Sequence, residues 1–109
     1  MTYGALIVGL GQIGMGYDLA LAPAKSVYTH ARAFSVHSAF ELVGAVDPAE
    51  KKRDLFKRHY AHPVYPTIAS ALLAQTASVV VISSPTAQHS VTLKEVLAHS
   101  SPKLILCEK

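Results

Sequence analysis

Four short apolar runs, separated by stretches with helical spacing, constrain the fold of this chain more than any other feature. The runs cover residues 5–10, 40–47, 78–83 and 103–107, and few polar residues interrupt them. Strands that are buried on both faces of a sheet have this pattern, and parallel sheets covered by helices are their usual context. A shorter run at residues 63–65 adds a fifth predicted strand.

Helical patterns fill the intervals between these runs, over residues 29–38, 48–60, 67–75 and 86–99. The residues that we expect to face the sheet are Ala33, Phe34 and His37, then Leu55 and Phe56, then Ile68, Ala71, Leu72 and Leu73, and finally Val91, Leu93, Val96 and Leu97. Strands that alternate with helices are joined by right-handed crossovers. We therefore predict an α/β fold, a doubly wound parallel sheet of about five strands in the order 3-2-1-4-5, with helices on both faces.

Size and composition fit one domain over residues 1–109. Half of the residues are apolar and 16% are charged, which is typical of a chain that buries a sheet. The net charge of +3 arises mainly from one cluster in the second predicted helix, namely Lys51, Lys52, Arg53, Lys57 and Arg58. No aromatic platform accompanies these charges, so we interpret them as a solvated helix face and predict no nucleic-acid partner.

The single cysteine and the six histidines favour neither a disulfide framework nor a metal centre. Cys107 lies in an apolar run and is predicted to be a buried thiol. No pair of histidines has the HExxH spacing, so we predict no metal site. The N-terminus does not resemble a signal peptide, and no apolar run reaches the roughly 18 residues of a membrane span. We therefore expect a cytoplasmic protein with no membrane partner.

The stretch Gly9-Leu10-Gly11-Gln12-Ile13-Gly14 places three glycines in the pattern G-x-G-x-x-G, directly after the first predicted strand. In a dinucleotide site the first glycine permits a tight turn, and the second lets the diphosphate of the cofactor approach the backbone. The third lets the next helix pack close to the sheet, and that helix offers free N–H groups to the phosphates. Glycine turns also occur in proteins that bind nothing, so a second residue has to support this interpretation.

Asp47 supplies that support, because a carboxylate at the end of the second strand can accept hydrogen bonds from both hydroxyls of an adenosine ribose. Asp47 could also cap the helix that follows. The 33 positions from Gly14 to Asp47 exceed the separation of roughly 20 in the usual fingerprint. Helix-breaking residues predict that the surplus, residues 15–28, is a loop or short turn inserted beside the phosphate site, and that the helix starts near Thr29.

Four segments together resemble the N-terminal Rossmann domain of the glucose-fructose oxidoreductase, inositol dehydrogenase and rhizopine catabolism (Gfo/Idh/MocA) family of NAD(P)-dependent oxidoreductases. They are VGLGQIG at 8–14, AFELVGAVDP at 39–48, VVVISSPTAQH at 79–89 and ILCEK at 105–109. The resemblance covers essentially the whole chain. It implies an oxidoreductase that transfers hydride between a nicotinamide cofactor and a hydroxyl of a sugar, polyol or cyclitol.

The resemblance also implies site residues at the matching positions. The diphosphate would contact Gly9, Gly11, Gln12, Ile13 and Gly14, and Asp47 would hold the adenosine ribose and favour NAD. The cofactor would pass Ser83, Ser84, Pro85 and His89 on its nicotinamide half and reach Glu108 and Lys109, of which Lys109 would be the catalytic lysine. His30 is given no role because the spacing is shifted. NADP stays open, because Lys51, Lys52 and Arg53 follow the acid.

Members of the family continue beyond the Glu-Lys-Pro motif into a substrate domain, and this chain stops at Lys109. We therefore expect a truncated domain that binds cofactor, lacks the substrate site and shows little or no turnover. An uncovered sheet edge at 103–107 predicts a homo-oligomer. Two other functions stay open: a non-enzymatic module that senses dinucleotides or mediates interactions, and a binder of S-adenosylmethionine of the methyltransferase type.

Overall fold

The computed structural model describes residues 3–11, 13–16 and 29–108, without the side chain of Thr86. Five parallel strands form one sheet in the order β3-β2-β1-β4-β5, which confirms the predicted fold class and strand order. The strands are β1 (Tyr3–Val8), β2 (Phe40–Val46), β3 (Val64–Tyr65), β4 (Val79–Ile82) and β5 (Leu104–Cys107). The helices are α1 (His30–Val36), α2 (Glu50–Tyr60), α3 (Ile68–Ala74) and α4 (His89–His99), the last preceded by a 3-10 turn at Thr86–Gln88.

Alternate residues of the central strands bury opposite faces of the sheet. On one face, Ile7 and Val81 belong to a core cluster with Ala31 of α1 and Phe56 of α2. On the other face, Leu6, Val80 and Ile82 pack with residues of α3 and α4, including Ala71 and Val96. Because both faces are covered, β1 and β4 can be apolar at nearly every position, as parallel strands usually are. This arrangement brings the carboxyl ends of β1, β2 and β4 to the same edge of the sheet.

Several residues predicted to face the sheet are exposed instead. Phe56 is fully buried, but its neighbour Leu55 is 42% exposed, since adjacent residues of a helix point about 100° apart. The short helices bury only narrow stripes, so the predictions were also wrong for Leu73, Val91, Leu97 and His37. Helix α1 buries Ala31 and Arg32, while Ala33 and Phe34 are half-buried.

Cys107 is exposed, and its predicted burial was therefore wrong. The reason is its strand: β5 lies at an edge of the sheet, where Leu104 and Leu106 are exposed as well. The apolar run at 103–107 is therefore not buried. The homo-oligomer predicted from this sheet edge stays a prediction.

The N-terminus of α3 provides a test of local stability. The Thr67 hydroxyl accepts a hydrogen bond from the backbone N–H of Ser70 at 3.2 Å and caps the helix. Replacing Thr67 by alanine should lower the free energy of unfolding by about 1 kcal/mol, because the cap is lost. Chemical denaturation measures this change. Leu73→Ala, at a side chain that is 85% exposed on the same helix, is the control and should change it by less than about 0.5 kcal/mol. Equal losses in both variants would contradict the capping role.

Candidate dinucleotide site

The turn after β1 depends on Gly9, whose φ of +100° is a conformation that other residues rarely adopt. A Cβ at this position would lie 2.6 Å from the backbone nitrogen of Ser84, which leaves no room for a side chain. The N–H of Gly9 donates to the carbonyl of Val46 at 2.8 Å and so ties the turn to the end of β2. Gly9 therefore brings the ends of three strands close together.

The other two glycines have different surroundings. A Cβ on Gly14 would overlap the carbonyl oxygen of Gly9 and lie 2.9 Å from Ser83 Oγ, so Gly14 permits close packing against the turn. A Cβ on Gly11 would meet no atom within 4 Å among the described residues. No described atom therefore opposes a side chain at position 11, whereas a ligand that approaches the backbone there would require glycine.

Backbone hydrogen bonds of the helical type connect the glycine turn directly to α1. The N–H of Met15 donates to the carbonyl of Gly11 at 2.9 Å, which is the bond of a first helical turn. The next bonds of this type are made by His30 to Ile13 at 3.1 Å and by Ala31 to Gly14 at 2.9 Å. In an unbroken helix these two bonds would come from positions 17 and 18.

By this bonding the surplus is the thirteen positions 17–29, where residues 15–28 were predicted, and α1 begins close to the predicted Thr29, whose hydroxyl accepts from the N–H of Arg32 at 3.3 Å. Without these thirteen residues Asp47 would follow Gly14 by 20 positions, the usual spacing of the fingerprint. The chain therefore keeps the geometry of a dinucleotide turn despite its sequence spacing. Residues 17–28 lie outside the described residues.

Asp47 is only 6% exposed, and both of its carboxylate oxygens are held by backbone N–H groups. Oδ2 accepts from Leu10 at 2.9 Å, and Oδ1 accepts from Ala49 at 2.8 Å. The prediction that Asp47 could cap α2 was wrong, because the N–H that Oδ1 accepts from belongs to Ala49, which precedes the helix, and no side chain caps α2. A carboxylate has about four lone-pair sites, so two remain for a ligand.

The segment after β4 forms a wall of the candidate site beside the glycine turn. The Ser83 hydroxyl donates to the carbonyl of Gly9 at 2.8 Å and lies 3.2 Å from that of Val8, which locks the two loops together. The Ser84 hydroxyl oxygen is buried and has no hydrogen-bond partner among the described residues. His89 Nε2 donates to the carbonyl of Ser84 at 2.8 Å and so supports the wall from behind.

A cleft of about 660 Å³ lies between these walls, at the carboxyl edge of the sheet. Six of the predicted site residues line it: Gly9, Gly11, Asp47, Ser83, Ser84 and Pro85. Ile13, Gly14, His89 and Glu108 are not in its lining, and Gln12 and Lys109 lie outside the described residues. Lys52, considered in the sequence analysis only for NADP, also lines the cleft, and the sequence analysis missed the contributions of Pro48, Pro66, Thr67, Ile68, Gln88, Thr92 and Glu95. The Pro66-Thr67 pair could have been found, because it directly follows a predicted strand.

A volume of this size and a site where the strand order reverses are typical of nucleotide binding in doubly wound sheets. The family model described as "Oxidoreductase family, NAD-binding Rossmann fold" (GFO_IDH_MocA) matches residues 3–109. The chain belongs to the Gfo/Idh/MocA family. The resemblance inferred from the sequence is therefore confirmed, and the domain is the NAD-binding Rossmann domain of this oxidoreductase family.

Solved structures with the same fold include GenD2 from gentamicin A biosynthesis in complex with NAD. It is 27% identical with a TM-score of 0.72, and the match covers 99% of this chain and 27% of GenD2. Scyllo-inositol dehydrogenase from Lactobacillus casei, with bound NAD(H) and scyllo-inositol, is 20% identical with a TM-score of 0.74, over 100% of this chain and 28% of that enzyme. The chain therefore spans little more than a quarter of these Gfo/Idh/MocA structures. No curated protein matches its sequence.

The cleft of this Gfo/Idh/MocA domain fits a dinucleotide in two independent ways. The open space at Gly11 leaves the backbone accessible to a diphosphate, and Asp47 presents free lone pairs to a ribose. Within the described residues there is no group of three or more metal-ligating side chains. No helix in the described part of the chain is long and apolar enough to cross a membrane.

Proposed function

We propose that this Gfo/Idh/MocA chain binds NAD and forms the cofactor half of a dehydrogenase for a hydroxyl of a sugar, polyol or cyclitol. The observation that carries the proposal is the hydrogen bond between Asp47 and the N–H of Leu10, because it joins the ribose-binding carboxylate to the glycine turn. The solved structures of GenD2 and of scyllo-inositol dehydrogenase contain NAD or NAD(H), which supports the choice of cofactor. When bound, the nicotinamide accepts or donates the hydride.

Each part of the chain has a separate task in this proposal. The backbone of the glycine turn binds the diphosphate, and Asp47 orients the adenosine ribose. Ser84 and Pro85 form the wall that excludes water from the middle of the cofactor. Lys109, which follows β5, holds or relays the proton of the substrate hydroxyl, and its ammonium can polarise that oxygen.

The preference for NAD over NADP follows from the fixed position of Asp47. Its two backbone hydrogen bonds and its burial hold the carboxylate in place. The negative charge of the carboxylate would therefore repel the 2′-phosphate of NADP. Nη1 of Arg53 donates to the carbonyls of Asp47 and Pro48 at 2.9 and 2.8 Å, so this nitrogen is not available to a 2′-phosphate. Lys52 lines the cleft, and its ammonium can attract a 2′-phosphate, so the chain should retain some affinity for NADP.

Calorimetric titration of the chain with NAD+, NADP+ and S-adenosylmethionine tests the proposal. We expect NAD+ to bind at least about tenfold more tightly than NADP+, with no binding of S-adenosylmethionine. Saturable binding of S-adenosylmethionine in preference to both dinucleotides would contradict it. We also propose that turnover needs a substrate domain. A panel of polyols should therefore give little or no NADH with the 109 residues alone.

A further inference from the structure

A histidine and a glutamate meet at the far side of the glycine turn from Asp47. His30 Nε2 donates to Glu108 Oε2 at 2.8 Å, across 78 positions of sequence. Within residues 3–11, 13–16 and 29–108 this is the only contact within 4.0 Å between a basic side chain and a carboxylate. The side chains of His30 and Glu108 are 16% and 38% exposed, so the pair is partly shielded and its carboxylate still reaches solvent.

The backbone anchors both members of the pair. The N–H of His30 donates to the carbonyl of Ile13, within the glycine turn, at 3.1 Å. The N–H of Glu108 donates to the carbonyl of Ile82, at the end of β4, at 2.8 Å. The pair therefore connects the phosphate turn with the ends of β4 and β5, and a shift of either backbone would break it.

The strand order decides which half of a dinucleotide lies above this pair. Asp47 follows β2 and Glu108 follows β5, so the two acids stand on opposite sides of the central strand β1. A dinucleotide in a doubly wound sheet extends across the carboxyl ends of the strands, with its diphosphate at the switch point. If the adenosine half lies on Asp47, the nicotinamide half extends over the ends of β4 and β5.

We propose that His30 is a positioning residue, which fixes the Glu108 carboxylate under the nicotinamide half of the bound cofactor. The inference rests on the proposed function and deepens it. Neither His30 nor Glu108 lines the cleft, and His30 contacts the Glu108 carboxylate directly, so His30 acts through Glu108, the residue directly before Lys109. The hydrogen bond from His30 to Ile13 explains why sequence spacing concealed this role, because it places His30 where position 17 would stand in an unbroken helix.

The test compares NAD+ with ADP-ribose, which has the same adenosine, diphosphate and second ribose but lacks the nicotinamide. We expect His30→Ala to weaken NAD+ binding by about tenfold in calorimetric titration and to change ADP-ribose binding by less than about twofold. Because ADP-ribose needs an intact cleft, unchanged binding of this ligand also reports that the variant is folded. His99→Ala, at an exposed histidine of α4, is the matched control and should change neither affinity.

Two further variants separate positioning from general packing. His30→Gln keeps an N–H donor at a similar distance and should recover most of the affinity for NAD+. Glu108→Gln should weaken NAD+ binding as His30→Ala does, and the double variant should be no weaker than either single one, because the two residues act as a unit.

The outcomes distinguish this inference from the proposed function. If the unaltered chain binds neither NAD+ nor ADP-ribose, the proposed function fails and the inference fails with it. If the unaltered chain binds both but His30→Ala weakens them equally, or weakens neither, only the positioning role is overturned. Additive losses in the double variant would also overturn it.

Discussion

Replacing Gly11 by valine should reduce the affinity for NAD+ by at least about a hundredfold and leave the free energy of unfolding nearly unchanged. The reason lies in the empty space at this position, where a Cβ would meet no described atom within 4 Å. The added side chain should leave the free energy of unfolding nearly unchanged, because it meets no described atom, but it occupies the volume that the diphosphate needs. Calorimetry with NAD+ and chemical denaturation of the same variant measure the two effects.

Gly14→Val is the matched control for this experiment. Its Cβ would overlap the carbonyl oxygen of Gly9, so the variant should lose stability, and lose binding only as a consequence. The same substitution three residues apart therefore separates a glycine kept for a ligand from a glycine kept for packing. A Gly11→Val protein that binds NAD+ as the unaltered chain does would contradict the proposed phosphate site.

Replacing Asp47 by asparagine should lower both the affinity for NAD+, by about thirtyfold, and the free energy of unfolding, by about 2 kcal/mol. Asparagine has the same shape but only one acceptor oxygen, while two backbone N–H groups, from Leu10 and Ala49, point at the side chain. Either orientation of the amide leaves an NH2 group facing one of these donors. The ribose hydroxyls lose a charged acceptor at the same time.

Asp54→Asn provides the control for Asp47, since it makes the same chemical change at an exposed position of α2. It should alter the free energy of unfolding by less than about 0.5 kcal/mol and leave NAD+ binding unchanged. Thermal or chemical denaturation measures stability, and calorimetry measures affinity. If Asp47→Asn behaved like Asp54→Asn in both measurements, the role of Asp47 as the link between turn and ribose would be wrong.

The sequence alone was sufficient to predict the strand order, because that order depends on features that are local and repeated. Short apolar runs alternate with helical patterns, and right-handed crossovers leave few ways to connect them. The glycine turn and Asp47 could be assigned for the same reason, since each directly follows a strand. Cys107 and Leu106 show the limit of this reasoning, because a run of apolar residues does not reveal which strand lies at the edge of the sheet.

Helix faces were less predictable than strands. Leu55 and Phe56 are equally apolar, and only the packing of α2 on the sheet decides that Phe56 is buried and Leu55 is not. Similarly, α4 buries Thr92 and leaves Val91 and Leu97 exposed. In such short helices one or two contacts determine the inward face, and these contacts come from distant parts of the chain.

The contacts around the site show the same dependence on distant residues. His30 and Glu108 are 78 positions apart, and no local pattern connects them. Their contact depends on the parallel order of β1, β4 and β5 and on the hydrogen bonds that connect α1 to the glycine turn. The contributions of Thr92 and Glu95 to the cleft likewise follow from the fold and not from any motif.

A crystal structure of the chain with saturating NAD+ would test whether the diphosphate binds at the glycine turn and the adenosine ribose at Asp47. We expect diphosphate oxygens within about 3 Å of backbone N–H groups in the glycine turn beside Gly11, and ribose hydroxyls at the same distance from the Asp47 carboxylate. A dinucleotide bound elsewhere on the domain, with the space at Gly11 left empty and Asp47 bonded only to Leu10 and Ala49, would contradict it.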